Sequence, residues 1–167
     1  MDDMRIEALI FDFGNTIIEQ VIDSERTLDK LSLRLLPDVK PTLHLLQKHY
    51  RMGLLTNTTQ STVAHVIKAL TNLSIEDCFD AVVTSYEHGS EKPHPSMFMS
   101  LLSQLNVSPQ NTVMIGDDRL KDIAAARRLG LRTGYFTKTL DPSYDVPDFQ
   151  FTSFLELPSK LRKLESL

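Results

Sequence analysis

Five short apolar runs mark the chain, at residues 8–13, 52–56, 81–85, 112–115 and 132–136, each flanked by polar residues or glycine. Apolar runs without regular alternation predict strands buried on both faces, as in a parallel sheet. Between them, residues 39–50, 61–73, 95–105 and 120–129 carry apolar side chains at helical spacing. Pro95 suits a first helical position, Gly130 suits a C-terminal helix stop, and SPQN at residues 108–111 is a turn signal. Strand and helix therefore alternate, which predicts an α/β fold: a doubly wound parallel sheet in three layers. Residues 141–167 begin with turn chemistry at Pro142 and Pro147 and end in an amphipathic stretch from Phe154 to Leu164. An edge strand and a closing helix are expected there. Without repeats, low-complexity tracts or linkers, residues 1–167 read as a single domain.

Charge and cysteine content narrow the partners. The 18 Lys and Arg against 22 Asp and Glu leave a formal charge of −4, which argues against a nucleic-acid partner held through its phosphates. The opening MDDMRIEALIF begins with acids and reaches only a short apolar run. It predicts neither a secretory signal nor a membrane span, and a cytoplasmic location is expected. The single cysteine, Cys78, has no thiol to pair with and is a poor start for a zinc site. It is expected as a small buried hydrophobe beside Phe79.

In doubly wound sheets the ligand lies beyond the carboxyl ends of the strands. Those ends carry Asp12, Thr56, Ser85 and the Gly116-Asp117-Asp118 triplet. Each has an ordinary explanation. Asp12 can bond turn amides, and Thr56-Asn57, with Thr58 and Thr59 as rivals, can cap a helix. Lys92 can be a solvated loop lysine, and Asp117, Asp118 and Asp122 can be helix N-terminal acids. Together, though, they make the set that phosphoryl transfer through an aspartyl intermediate requires. A carboxylate nucleophile splits one displacement into two easier steps. A divalent cation, Mg2+ by its preference for oxygen ligands, must separate that carboxylate from the phosphate dianion. A lysine and a hydroxyl then supply fixed donors to the phosphoryl oxygens.

These residues resemble a known family, the haloacid dehalogenase-like (HAD) hydrolases, most of whose members are phosphatases. The resemblance runs from about residue 8 to residue 136 and includes the stretches GSEKPHPSMF, LNVSPQNTVMIGDD and KDIAAARRLGLRT. It implies a Rossmann-like core, with Asp12 as nucleophile, Thr56 as the second-motif hydroxyl and Lys92 as the third-motif lysine. It also implies a metal held by Asp12, the backbone carbonyl of Gly14 and Asp117. Asp122 completes the acidic set and, with Asp118, is expected to orient Lys92 or metal-bound water. Asn57, Asn15 and Thr16 are expected to hold the substrate phosphate.

Two positions depart from the family pattern. Position 14 usually carries a second aspartate, the acid/base for leaving group and water. Here it is Gly14, and losing a positioned acid/base typically costs about 10²- to 10⁴-fold. Asn15, Glu19 and His88 are candidate substitutes, and the glycine suits a positive φ that aspartate tolerates less well. Second, residues 17–36 allow only a short hairpin flap and one helix where a large cap often stands. The site is then open, accepting a phosphorylated small molecule or a phosphate exposed on a larger substrate, or it is covered by another subunit. Leu28, Leu31, Leu33, Leu35 and Leu36 would pack on the domain's own core or form a homo-oligomer contact. Alternatives stay open: a magnesium- and phosphate-binding regulatory protein fits a weakened site. A receiver domain conflicts with the order of the acidic residues, and carbon–halogen hydrolysis needs no metal cluster.

Overall fold

Strands β1 (Ala8–Phe11), β2 (Arg51–Thr56), β3 (Ala81–Thr84), β4 (Thr112–Gly116), β5 (Arg132–Phe136) and β6 (Phe149–Phe151) form one sheet in the computed structural model, which describes residues 5–167. The opening residues 1–4, including both leading aspartates, lie outside the described part. Every pairing is parallel and the order is β3-β2-β1-β4-β5-β6. The chain thus steps outward from β1 to β3, then returns to lay β4 on the other side of β1. This reversal opens a crevice beyond the ends of β1 and β4. The register sets Phe11 against both Leu54 and Ile115, so the three central strands end at one level.

Both faces of the sheet are covered, which is why its strands read as continuous apolar runs. On one face Leu9, Phe11, Met52, Leu54, Val113 and Ile115 pack with residues of α1 (Val39–Leu46), α2 (Val63–Asn72) and α6 (Leu157–Glu165). On the other, Ala8, Ile10, Leu55 and Met114 meet α4 (Pro95–Leu105) and α5 (Ala125–Arg128). Burying each large side chain contributes roughly 1.5–3 kcal/mol, so the central strands are held hard from both sides. The three layers and the edge strand and closing helix at the C-terminal end are as expected. Gly130 has φ +89, the left-handed geometry of a helix stop. None of the helices in the described residues is long and apolar enough to cross a membrane.

Several boundaries differ from expectation for identifiable reasons. The helix expected over residues 39–50 ends at Leu46, because His49 N–H and Tyr50 N–H both turn back onto the Leu46 carbonyl. The next helix is capped by Thr62, not by Thr56, Asn57, Thr58 or Thr59. The Thr62 hydroxyl accepts from His65 N–H, and the His65 ring accepts from Thr62 N–H. The stretch after β4 is wound wide over Arg119–Ala124 before α5 begins. There the Asp118 carbonyl accepts from both Asp122 N–H and Ile123 N–H at 3.1 Å, a widened turn of the kind often found at functional sites.

Residues 17–36 fold back on themselves as a short flap. Ile18 bridges Leu35 antiparallel, Glu19 N–H donates to the Arg34 carbonyl and Leu36 N–H to the Ile17 carbonyl. The helix expected beside it is only one 3-10 turn, Leu28–Lys30. Leu28 N–H donates to Ser61 Oγ and Asp29 pairs with Lys68, tying the flap to the loop before α2 and to the middle of that helix. Leu28, Leu33, Leu35 and Leu36 pack against the chain's own core.

Candidate active site

Asp12 leaves β1 still on the ladder, its N–H donating to the Ile115 carbonyl at 3.0 Å. The chain then folds tightly, with the Phe13 carbonyl accepting from Thr16, Ile17 and Ile18 N–H. The left-handed residue of this turn is Asn15, with φ 62, and not Gly14. Asparagine tolerates that conformation. The expectation of positive φ at Gly14 is therefore corrected. A Cβ built on Gly14 meets nothing within 4 Å, so space for a side chain is present there.

The switch point brings distant residues together. Lys92, from the loop after α3 (Ser85–His88), reaches into the crevice with only 3% of its side chain exposed. Its Nζ donates to Asp12 Oδ1 and to Asp122 Oδ1, each at 2.8 Å. Asp122 is fully buried, and its other oxygen accepts from Asp118 N–H at 3.1 Å. The widened turn after β4 places it there. Gly116 makes room, since a Cβ on that residue would stand 2.3 Å from Asp122 Oδ2. On the far side of Asp12, the buried Thr16 hydroxyl lies 3.3 Å from Asp12 Oδ2 and 3.2 Å from Asp117 Oδ1.

Three carboxylates around one ammonium leave excess negative charge. Burial works against ionised Asp12, but the adjacent Lys92 charge and hydrogen bonds from Asp117, Lys92 and Phe13 N–H hold its pKa below the ordinary value. Burial likewise opposes the Lys92 charge, and Asp12 and Asp122 overcome it and push that pKa up. Asp117 has no cation of its own among the described residues. Burial, its hydrogen bond to Asp12 and the charges of Asp12 and Asp122 push it up to about 8. Burial also raises Asp122, to about 6, against the pull of Lys92.

The remaining expected residues divide by what they touch. Thr56, buried at the end of β2, lines an open cleft of about 430 Å³ with Gly14, Asn15 and Asn57. The Asn57 carboxamide is engaged by the Lys92 backbone: Nδ2 donates to the carbonyl and Oδ1 accepts from the N–H, at 3.1 and 2.8 Å. Ser85 Oγ does similar work, donating to the Thr58 carbonyl and accepting from Thr58 N–H. The Asp118 carboxylate caps its helix, accepting from Leu120 and Lys121 N–H, so only its backbone supports Asp122. His88 bonds Ser96 and lines a different surface, and Glu19 is exposed on the flap outside the cleft lining. Of the three candidate substitutes for the acid/base, Asn15 alone lines the cleft. Sequence reasoning missed Arg26 and Lys121, the cations on the cleft wall. No local pattern distinguishes them from solvated surface charges.

Among the described residues, Asp12, Asp117 and Asp122 each offer a carboxylate oxygen, all within 4.8 Å of one another. An all-oxygen set with unneutralised charge suits a hard divalent cation. No hydrogen bond to the Gly14 carbonyl is found among the described residues, so that oxygen is available beside the cluster.

A parallel sheet with a strand-end aspartate, a buried lysine bridge and an acidic cluster across the switch point defines a class, and sequence comparison agrees. The chain belongs to the haloacid dehalogenase-like hydrolases, whose family profile matches residues 11–135. It is 36% identical over 137 residues to the N-acylneuraminate-9-phosphatase of Homo sapiens, covering 80% of this chain and 54% of that protein. It is 32% identical over 136 residues to a glyceraldehyde 3-phosphate phosphatase of Pyrococcus furiosus, covering 80% and 55%. The chain thus spans about half the length of the curated relatives it matches. A crystal structure of an uncharacterized protein from Listeria monocytogenes serotype 4b superposes with a TM-score of 0.85 at 25% identity, covering 97% of this chain and 100% of that one.

Proposed function

We propose that this protein is a magnesium-dependent phosphatase that hydrolyses phosphate monoesters through an aspartyl-phosphate on Asp12. The observation that carries this is the placement of Lys92 Nζ 2.8 Å from both Asp12 and Asp122 at the switch-point crevice. An Asp12 oxygen attacks phosphorus as the ester P–O bond breaks, and the leaving oxygen departs with the bonding pair. Water then attacks the phosphoryl group, giving inorganic phosphate and restoring the Asp12 carboxylate. Lys92 keeps Asp12 ionised and neutralises charge on the phosphoryl oxygens, while Asp122 holds Lys92 in place. Thr56 supplies a hydroxyl at the cleft floor.

Asp12, Asp117 and the Gly14 carbonyl would hold Mg2+, which supplies charge neutralisation between nucleophile and phosphate. Asp122 acts one step removed, its Oδ1 accepting from Lys92 and its Oδ2 from Asp118 N–H, so that it holds the lysine beside Asp12. Asn57, its carboxamide engaged by the Lys92 backbone, is assigned to positioning the Lys92 loop. Asn15, and backbone amides near Thr56, are then the groups left to meet the phosphate, with Thr16 linking Asp12 and Asp117. Relatives named for acting on small phosphorylated compounds support a phosphorylated small molecule as substrate. Gly14 favours leaving groups that need little protonation, since no side chain there can deliver a proton. It is also the observation behind a second reading, a regulatory protein that binds magnesium and phosphate without turnover.

Phosphorylated metabolites and phosphopeptides assayed with and without magnesium test this directly. Phosphate release is expected only with the metal, and Asp12→Asn should abolish it while the fold persists. Turnover above a few per cent in that variant would remove Asp12 as nucleophile. Phosphate and magnesium binding without any release would favour the regulatory alternative.

A further inference from the structure

At the opposite end of the sheet from Asp12, α1 and the 3-10 turn Glu76–Cys78 ahead of β3 bring three different donors together. His44 Nδ1 lies 3.5 Å from Cys78 Sγ and 4.0 Å from Asp77 Oδ2. All three candidate ligand atoms fall within 4.8 Å of one another. A tetrahedral zinc ion with bonds of about 2.3 Å to sulfur and about 2.0–2.1 Å to nitrogen and oxygen separates its ligands by roughly 3.4–3.6 Å. The sulfur–nitrogen edge is already at that spacing. The carboxylate edge must close by about half an ångström, and the Asp77 side chain, 69% exposed, is free to turn.

Gln47 Nε2 also lies 3.3 Å from His44 Nδ1, the ring nitrogen nearest the thiol, and would give up that contact when the ion binds. Cys78 itself is buried, and burial with the Asp77 charge pushes its thiol up to about 11. It is inert until a metal displaces its proton.

We propose that His44, Asp77 and Cys78 form a second cation site, separate from the acidic cluster, that takes a zinc-class divalent ion with water as fourth ligand. Thiolate and imidazole select zinc-like ions over magnesium, whereas the all-carboxylate cluster at Asp12 does the reverse. Binding forms a sulfur–metal bond and releases the Cys78 proton to solvent. The ion would fasten α1 to the turn that starts β3, tightening the fold far from the chemistry.

The test is titration of the full chain with cobalt, then zinc, in excess magnesium and against a chromophoric chelator. Cys78 is the only cysteine of the chain, so a sulfur-to-cobalt charge-transfer band can arise nowhere else. The expected result is a band that saturates at one equivalent, is displaced by zinc and is absent in Cys78→Ser. Zinc should raise the melting temperature, and Asp77→Asn and His44→Ala should each weaken zinc affinity by at least about tenfold, the scale on which even outer partners of a metal matter. Asp77 is exposed, so its variant reports on the site without disturbing the core. Absence of the charge-transfer band, unchanged zinc affinity in both Asp77→Asn and His44→Ala, or loss of all zinc binding in Asp117→Asn would each overturn the proposal.

Discussion

Replacing Lys92 by Met tests the electrostatic core of the site, because it keeps the length and apolar stem and removes the cation. In the native protein one buried ammonium serves Asp12 and Asp122 at 2.8 Å each, with 3%, 13% and 1% of the three side chains exposed. Removing one partner of a buried pair typically costs about 3–5 kcal/mol, and here two carboxylates lose their partner at once. The upper end, about 5 kcal/mol, is expected near pH 8, a drop in melting temperature on the order of 10–15 °C for a chain of this size. The loss should shrink on acidification. Without Lys92, both carboxyls hold their protons more tightly folded than unfolded, so folded stability falls as pH rises and recovers as it drops. Each pH unit spanned by one such carboxyl is worth about 1.4 kcal/mol, so the gap to wild type should narrow by at least about 2 kcal/mol between pH 8 and pH 5. Wild-type Asp12, with its lowered pKa, works in the opposite sense: its contribution persists down to acid and is lost only below the ordinary carboxylate range. Urea unfolding of both proteins in chelator, followed by circular dichroism at several pH values, measures this. A gap below about 1 kcal/mol, or one independent of pH, would refute Lys92 as the counter-ion of both carboxylates.

Three other variants or conditions probe neighbouring groups. Gly14→Asp should fold normally, since its backbone is not left-handed and its Cβ meets nothing within 4 Å. It should speed alkyl phosphates by up to about 10²- to 10⁴-fold and aryl phosphates much less, as compared by steady-state rates. Equal effects on both would mean that another group already delivers the proton. Magnesium binding at pH 7 should release close to one proton, because Asp117 is pushed up to about 8 without metal and must ionise to bind. Affinity should therefore rise with pH up to about that value, and calorimetry in buffers of different ionisation enthalpy that detects no release would contradict it. Gly116→Ala should displace Asp122, whose Oδ2 would lie 2.3 Å from the new Cβ, lowering both melting temperature and turnover. Native values for both would show that the site does not depend on this contact.

The strand positions and the order of helices were legible in the sequence because buried parallel strands must be apolar throughout and glycine and proline punctuate locally. The candidate residues were legible for a related reason: Asp12, Thr56 and Asp117 sit at strand ends, and Lys92 in a loop of recognisable phrasing. What each does to the others was not. Asn57 turns out to grip the Lys92 backbone, Asp118 caps its own helix, and Thr62 takes the cap expected nearer Thr56. These outcomes are competitions among nearby donors and acceptors that only fixed distances decide. The left-handed residue is Asn15 where Gly14 was expected, since the turn's hydrogen bonds to Phe13 set the geometry and the residue types permitted either. Most of all, the β1–β4 reversal and the widened turn carrying Asp122 place three carboxylates around one lysine, and the same folding sets His44 beside Cys78. Such meetings depend on chain segments far apart in sequence crossing at one level of the sheet, which no local pattern of apolar and polar residues encodes.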